Sequence, residues 1–275
     1  MLFSDRPRTH YEKPLAHEVI CQLRFPTILT INNTEPADFQ EAVREDFPQY
    51  ARRQDQLPPR VVNGKPEPQA PVTNYHFLSQ DGRWKLNLTR DFIALSTLSY
   101  PGWEEFARML DKPLATFIQL YKPAYFQRVG LRYLNIVSRN ALGLEDTPWR
   151  ELFTPPYLGV LAELDVDEER VPVAGLDVQL KLDSSSAAKI HAGTAHLKNN
   201  TPNAPQDPEV KFILDMDLSM SGNTPCGLAA PALETLHGHS TRIFEGAVTD
   251  TLRQAMGRGF GFCNPGSNCW TVMAS

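Results

Sequence analysis

From Val210 to Leu218 the chain reads VKFILDMDL, with Val210, Phe212, Leu214, Met216 and Leu218 on every second position and Lys211, Asp215 and Asp217 between them. A period of two sends those sets to opposite faces of an extended strand, one face to be buried and one wet. This alternation rules out an amphipathic helix and requires a sheet. It is the last of three such runs, after LDVQLKLD and AAKIHAGTAHLK. A helical pattern follows, PALETLHGHSTRIFEGAVTDTLRQAM, opened by Pro231 and carrying Leu236, Ile243, Ala247 and Leu252.

The first half of the chain has the same plan. EVICQLRFP reads as a strand, and EPADFQEAVREDFPQYA as a helix with Phe39, Val43 and Phe47 at four-residue intervals. The polar, proline-rich RRQDQLPPRVVNGKPEPQAP reads as a loop. Three strand-like runs follow, NYHFLSQ, RWKLNLT and FIALSTLSY, the first two joined through Asp81-Gly82, a hairpin signal. Within them Trp84, Leu86 and Leu88 alternate with Arg83, Lys85 and Asn87, which are expected to be wet. WEEFARMLDKPLATFIQLY predicts a helix with Trp103, Phe106, Leu110, Leu114 and Phe117 on one stripe and a bend at Pro113, and YFQRVGLRYLNIVSR a long strand. The expected fold is α+β, with two repeated antiparallel β-meander-plus-helix halves packed as one unit, residues 1–140 and 141–257. A flexible C-terminal tail, residues 258–275, is expected beyond them, and the acidic ELDVDEER between the halves reads as a solvated loop.

Composition narrows the function classes. A net charge of -5 argues against a chain-wide attraction to phosphate, so nucleic acid is not an expected partner. The first residues, MLFSDRPRTHYEKPLAH, hold no apolar run, and none elsewhere reaches membrane-spanning length, so a cytoplasmic protein without a membrane partner is expected. Cys21 and Cys226 stand alone and read as core or near-core thiols. No Walker A loop, dinucleotide fingerprint, zinc-protease helix or Gly-x-Ser-x-Gly elbow occurs. The expectation is a chain that is not an enzyme, with no cofactor and no metal in the folded part.

YEKPLAHEVICQLRF, then DFPQY, then RVGLRYLNIV, with Tyr11, Pro14, Leu15, Glu18, Phe25, Arg128, Gly130, Leu131, Arg132, Tyr133 and Asn135, resemble a sporadically distributed family of bacterial proteins of unknown function. The likeness covers roughly residues 11–256, and its most specific part is Arg-x-Gly-Leu-Arg-Tyr-x-Asn. It implies an order of helices and strands and no activity. Members of that family end near LRQAMG, which makes the remaining stretch an addition to the domain.

That stretch, RGFGFCNPGSNCWTVMAS, sets Cys263 and Cys269 on either side of NPGSN, a turn-forming sequence that brings two thiols together. Three readings follow: a plain chain end, metal capture short of the usual four ligands, or the core of a ribosomally made peptide. In the last, a tailoring enzyme, for which a metal-dependent oxidase is the class named, modifies Cys263, Cys269 or their neighbours Asn264, Asn268 and Trp270, and a protease releases the product. The folded part then acts as an oversized leader, raising the effective concentration of the tail at the enzyme. The competing class is a cytoplasmic ligand- or partner-binding regulatory module of a bacterial defence or stress system, using Arg128, Arg132 and Asn135; an unrecognised enzyme comes third. Residues 128, 130 and 132 share one strand face, where two arginines can grip a phosphate or carboxylate or, more commonly, pair with acids of a neighbouring strand or helix. His237, His239, His191 and His196 read as surface or boundary residues, and the residues leave a homodimer open.

Overall fold

A computed structural model of the chain describes residues 2–7, 9–62, 64–197 and 207–257. Among them the elements run β1 (Ala16–Arg24), α1 (Thr30–Asn33), α2 (Ala37–Val43), β2 (Gln49–Asp55), β3 (Arg60–Val62), β4 (Lys65–Glu67), β5 (Val72–Leu78), β6 (Trp84–Leu88) and β7 (Phe92–Thr97). They continue as α3 (Trp103–Tyr121), β8 (Phe126–Val137), α4 (Arg139–Leu142), α5 (Trp149–Leu152), β9 (Gly175–Lys181), β10 (Ser186–His196), β11 (Val210–Thr224), α6 (Ala229–Ala247) and α7 (Asp250–Met256). The protein is mixed α+β, built on a large antiparallel sheet whose strands hydrogen-bond in the order β2-β5-β6-β7-β1-β8-β11-β10-β9; β3 and β4 pair separately. No helix of the described residues is long and apolar enough to cross a membrane.

The chain divides into two compact units, one made of Ile20–Gly130 with Ser221–Ala230, the other of the residues up to Val19, Leu131–Met220 and the residues from Pro231 on. In the first, the β5–β6 hairpin turns at Asp81-Gly82 as its sequence predicts, with Gly82 at φ 69° and its N–H donating to the Ser79 carbonyl. Trp84, Leu86 and Leu88 are buried. α3 lays Trp103, Phe106, Leu110, Leu114 and Phe117 into the core and runs through Pro113. Aromatic rings carry the packing, with Phe25 and Phe117 centred 4.6 Å apart, Phe39 and Phe77 5.4 Å, and Trp84 and Phe106 5.6 Å.

Local signals were overridden in several places. The helix expected through Phe47 stops at Val43, a turn carries the chain to Pro48, and Gln49–Asp55 becomes a strand despite lacking alternation. The stretch read as a loop also holds the β3–β4 hairpin. Asn87, expected wet, is buried and donates to Asn74, which in turn donates to Asp55.

In the second unit, β9, β10 and β11 form the expected meander, and Phe212, Leu214, Met216 and Leu218 are all buried. The long C-terminal helix is broken in two. The backbone around Val248 leaves the helix to pair with Leu152–Thr154, through Thr154 N–H to Ala247 O and Thr249 N–H to Leu152 O, and Thr249 then caps α7 by accepting from Leu252 N–H. Glu168, within the acidic stretch expected to be solvated, accepts from Arg139 and from the Trp149 N–H.

The β9–β10 turn is organised by Asp183. Its carboxylate accepts from the Ser186 hydroxyl, the Ser185 and Ser186 N–H groups and the Ser185 hydroxyl, which together hold it well below the usual aspartate range. A depressed carboxylate stabilises the fold above its ordinary pKa and loses that contribution as the pH falls through its folded-state value. The Tm advantage of the native chain over Asp183→Ala is therefore expected to be constant above about pH 5 and to shrink toward zero as the pH drops below about 4. Thermal melts of both proteins across that range check it; a difference that does not change with pH contradicts it.

Candidate functional site

Strand β8 carries the Arg-x-Gly-Leu-Arg-Tyr-x-Asn residues, and its pleat sorts them. Val129, Leu131, Tyr133, Asn135 and Val137 are buried, while Arg132, Leu134 and Ile136 are half-exposed. On the buried side the Tyr133 hydroxyl meets His237 Nδ1 at 2.8 Å, and Asn135 Nδ2 donates to the Leu214 carbonyl of β11 at 3.0 Å. Asn135 thus occupies the opposite face from Arg132 and serves the sheet. His237, read as a surface or boundary residue, is 9% exposed, with the Tyr133 hydroxyl as a polar partner for its imidazole.

Arg128 and Gly130 explain each other. A β-carbon on Gly130 would overlap the Arg128 guanidinium, so the missing side chain is what lets that group lie across the strand. Arg132 is held by Asp215 of β11 in a two-pronged ion pair, Nε to Oδ1 at 2.8 Å and Nη2 to Oδ2 at 2.6 Å. The hydrogen bonds that Arg132 donates to Asp215 raise the Arg132 pKa, against a smaller opposing effect of burial. Of the two uses open to Arg132, this is the pairing with an acid of a neighbouring strand.

Around that pair the wet face forms a groove of about 410 Å³ lined by Arg132, Asp177, Gln179, Lys189, Asp215 and Asp217 among others. Cross-strand register sets its rows, His191 standing between Asp177 and Asp215, and Lys189 between Gln179 and Asp217. His191 Nδ1 lies 3.0 Å from Asp177 Oδ1. An incoming anion would have to displace Asp215 from Arg132 and would face two further aspartates, so the groove is not an anion trap. Among the described residues no three His, Cys, Asp or Glu come together to hold a metal ion.

The other feature near a predicted site is the end of α7. Cys263, Asn264, Asn268, Cys269 and Trp270 lie outside the described residues. The approach to them is fixed by the N-terminal segment: Lys13 N–H donates to Met256 O at 2.9 Å and Glu12 N–H to Gly257 O at 3.4 Å. Beneath these bonds Glu245, 3% exposed, accepts from the Tyr11 hydroxyl at 2.8 Å and from Arg253 Nε at 2.9 Å. Burial first, and then Glu245, push the Tyr11 pKa far up, so the phenol stays protonated as a donor. Asp250 extends the network by accepting from both Arg6 and Arg253. Sequence reasoning missed Glu245 and Arg253, although Tyr11 stands in the first motif; an acid two residues after Ile243 reads as solvent-facing until its partners, far away in sequence, are known.

No family model matches the chain, and no curated protein matches it.

Arg132→Ala and Asp215→Ala are each expected to lower the unfolding free energy by about 1 kcal/mol, discounted for partial exposure, with a coupling of about 1 kcal/mol in the double-mutant cycle. Urea denaturation measures this, and additive effects contradict the pairing.

Proposed function

We propose that the chain is a non-catalytic precursor of a ribosomally synthesised, post-translationally modified peptide, with a folded leader that docks a tailoring enzyme in the cytoplasm and a C-terminal segment that is the substrate. The observation that carries this reading is the clamp at the end of α7. Tyr11, Glu245 and Arg253 with the backbone bonds of Glu12 and Lys13 fix Met256 and Gly257, immediately before the segment that holds Cys263, Asn264, Asn268, Cys269 and Trp270. A fixed anchor and a cysteine-bearing substrate segment next to it are what a modifying enzyme needs to gain effective concentration without gripping the reactive residues. The reading keeps the chain with the bacterial family that its motifs resemble, and takes a processing protease as a second partner.

We also read the two runs of three antiparallel strands, each closed by a 19-residue helix, as copies of one plan.

A second reading, a ligand- or partner-binding regulatory module of a bacterial defence or stress system, draws on the groove beside Arg132. Intact mass measurement separates the two. Protein co-expressed with its neighbouring genes is expected to carry a mass change confined to the proteolytic fragment containing Cys263 and Cys269, and to lose it in the Cys263→Ala, Cys269→Ala double variant. An unmodified fragment, or a change located in the folded part, contradicts the precursor reading.

A further inference from the structure

The sheet has two ends, and they are finished differently. At one end β2 presents Arg52 and Arg53 in an exposed strand, charges that discourage pairing with another chain. At the other end, among the described residues, β9 has β10 as its one neighbour in the strand order. Its seven residues, GLDVQLK, pair with β10 in unbroken register from Gly175↔Gly193 to Lys181↔Ala187, with no bulge and no proline. Leu176, Val178 and Leu180 are left half-exposed on one face, although their partners across the ladder, Ala192, Ile190 and Ala188, are buried. An edge without charges pointing inward, bulges or prolines is a template for strand addition.

The direction of the free backbone groups follows from the ladder. Thr194 N–H donates to Ala174 O and Leu182 N–H to Ser186 O, each at 2.9 Å, so even-numbered residues bond toward β10. Antiparallel alternation then aims the N–H and C=O of Gly175, Asp177, Gln179 and Lys181 away from it.

From this edge we infer that β9 pairs antiparallel with β9 of a second copy, about a two-fold axis at Gln179. That register alone sets Gln179 against itself as a hydrogen-bonded pair and each Asp177 against Lys181 of the other copy, matching opposite charges twice. It also sets Val178 against Leu180, closing the apolar face that the monomer leaves half-covered. An axis at Asp177 would instead oppose two aspartates, and an axis at an even-numbered position would lose the charge pairs. The occupant is a second copy because the edge is complementary to itself in backbone, charge and apolar pattern together. A single strand pair buries little area, so the dimer is weak and reversible.

Sedimentation and light scattering of the full chain over a series up to about 200 μM are expected to show the mass rising toward twice the monomer value. Lys181→Asp, which opposes like charges twice, is expected to weaken the dimer at least about tenfold with an unchanged circular dichroism spectrum. The swap Asp177→Lys with Lys181→Asp is expected to restore it. Gln179→Cys is expected to give a cross-link between the two copies of that position with a short bismaleimide, identified by peptide mass, because the paired Cβ atoms lie about 5.5 Å apart, within reach of the reagent. A monomer at every concentration, a dimer insensitive to Lys181→Asp, failure of the swap to restore it, or absence of the Gln179→Cys cross-link overturns the inference.

Discussion

The Glu245 carboxylate is the contact on which the end of the folded chain depends. Burying a carboxylate is costly unless its lone pairs are answered, and here Tyr11 answers one oxygen and Arg253 the other. Arg253 also donates to the Glu245 carbonyl, tying α7 to the last turn of α6 across the break at Val248 and Thr249. With α7 so placed, Leu252 and Met256 are fully buried and the Met256 carbonyl is in position to accept from Lys13. Replacing Glu245 by alanine leaves the part-buried Tyr11 hydroxyl without its acceptor and Arg253 with Asp250 as its remaining carboxylate, a cost of about 1–3 kcal/mol.

The strand β8 shows how one motif serves two faces. Tyr133 and Asn135 spend their polar groups inside, on His237 and on the backbone of β11, which fixes register where a one-residue slip would invert every side chain. Arg132 spends its charge outside on Asp215, and Gly130 makes room for the Arg128 side chain. These residues are accounted for by folding, and the proposed function accordingly rests on the α7 anchor.

Local periodicity carried much of this fold. The β5–β6 turn, the α3 stripe and the buried face of β11 follow directly from Asp81-Gly82, from Trp103 to Phe117 and from Phe212 to Leu218. What escaped was set by distant partners: β2 forms because β5 offers it a ladder, and α6 ends because Leu152–Thr154 takes over its backbone groups. That Arg132 pairs with an acid of a neighbouring strand or helix was legible, but neither the strand nor Asp215 could be selected before β8 and β11 were known to be adjacent. Glu245 was illegible for the same reason, since its partners stand at Tyr11 and Arg253.

The central claim is that one buried carboxylate couples the N-terminal segment to the last described helix. Hydrogen exchange of Glu245→Ala against the native chain tests it at the amide of Lys13, which bonds Met256, together with the amides of α7. The account predicts that protection at Lys13 and through Leu252–Met256 falls together, while β5 and β6 keep theirs. Unchanged protection at Lys13 in that variant would contradict it.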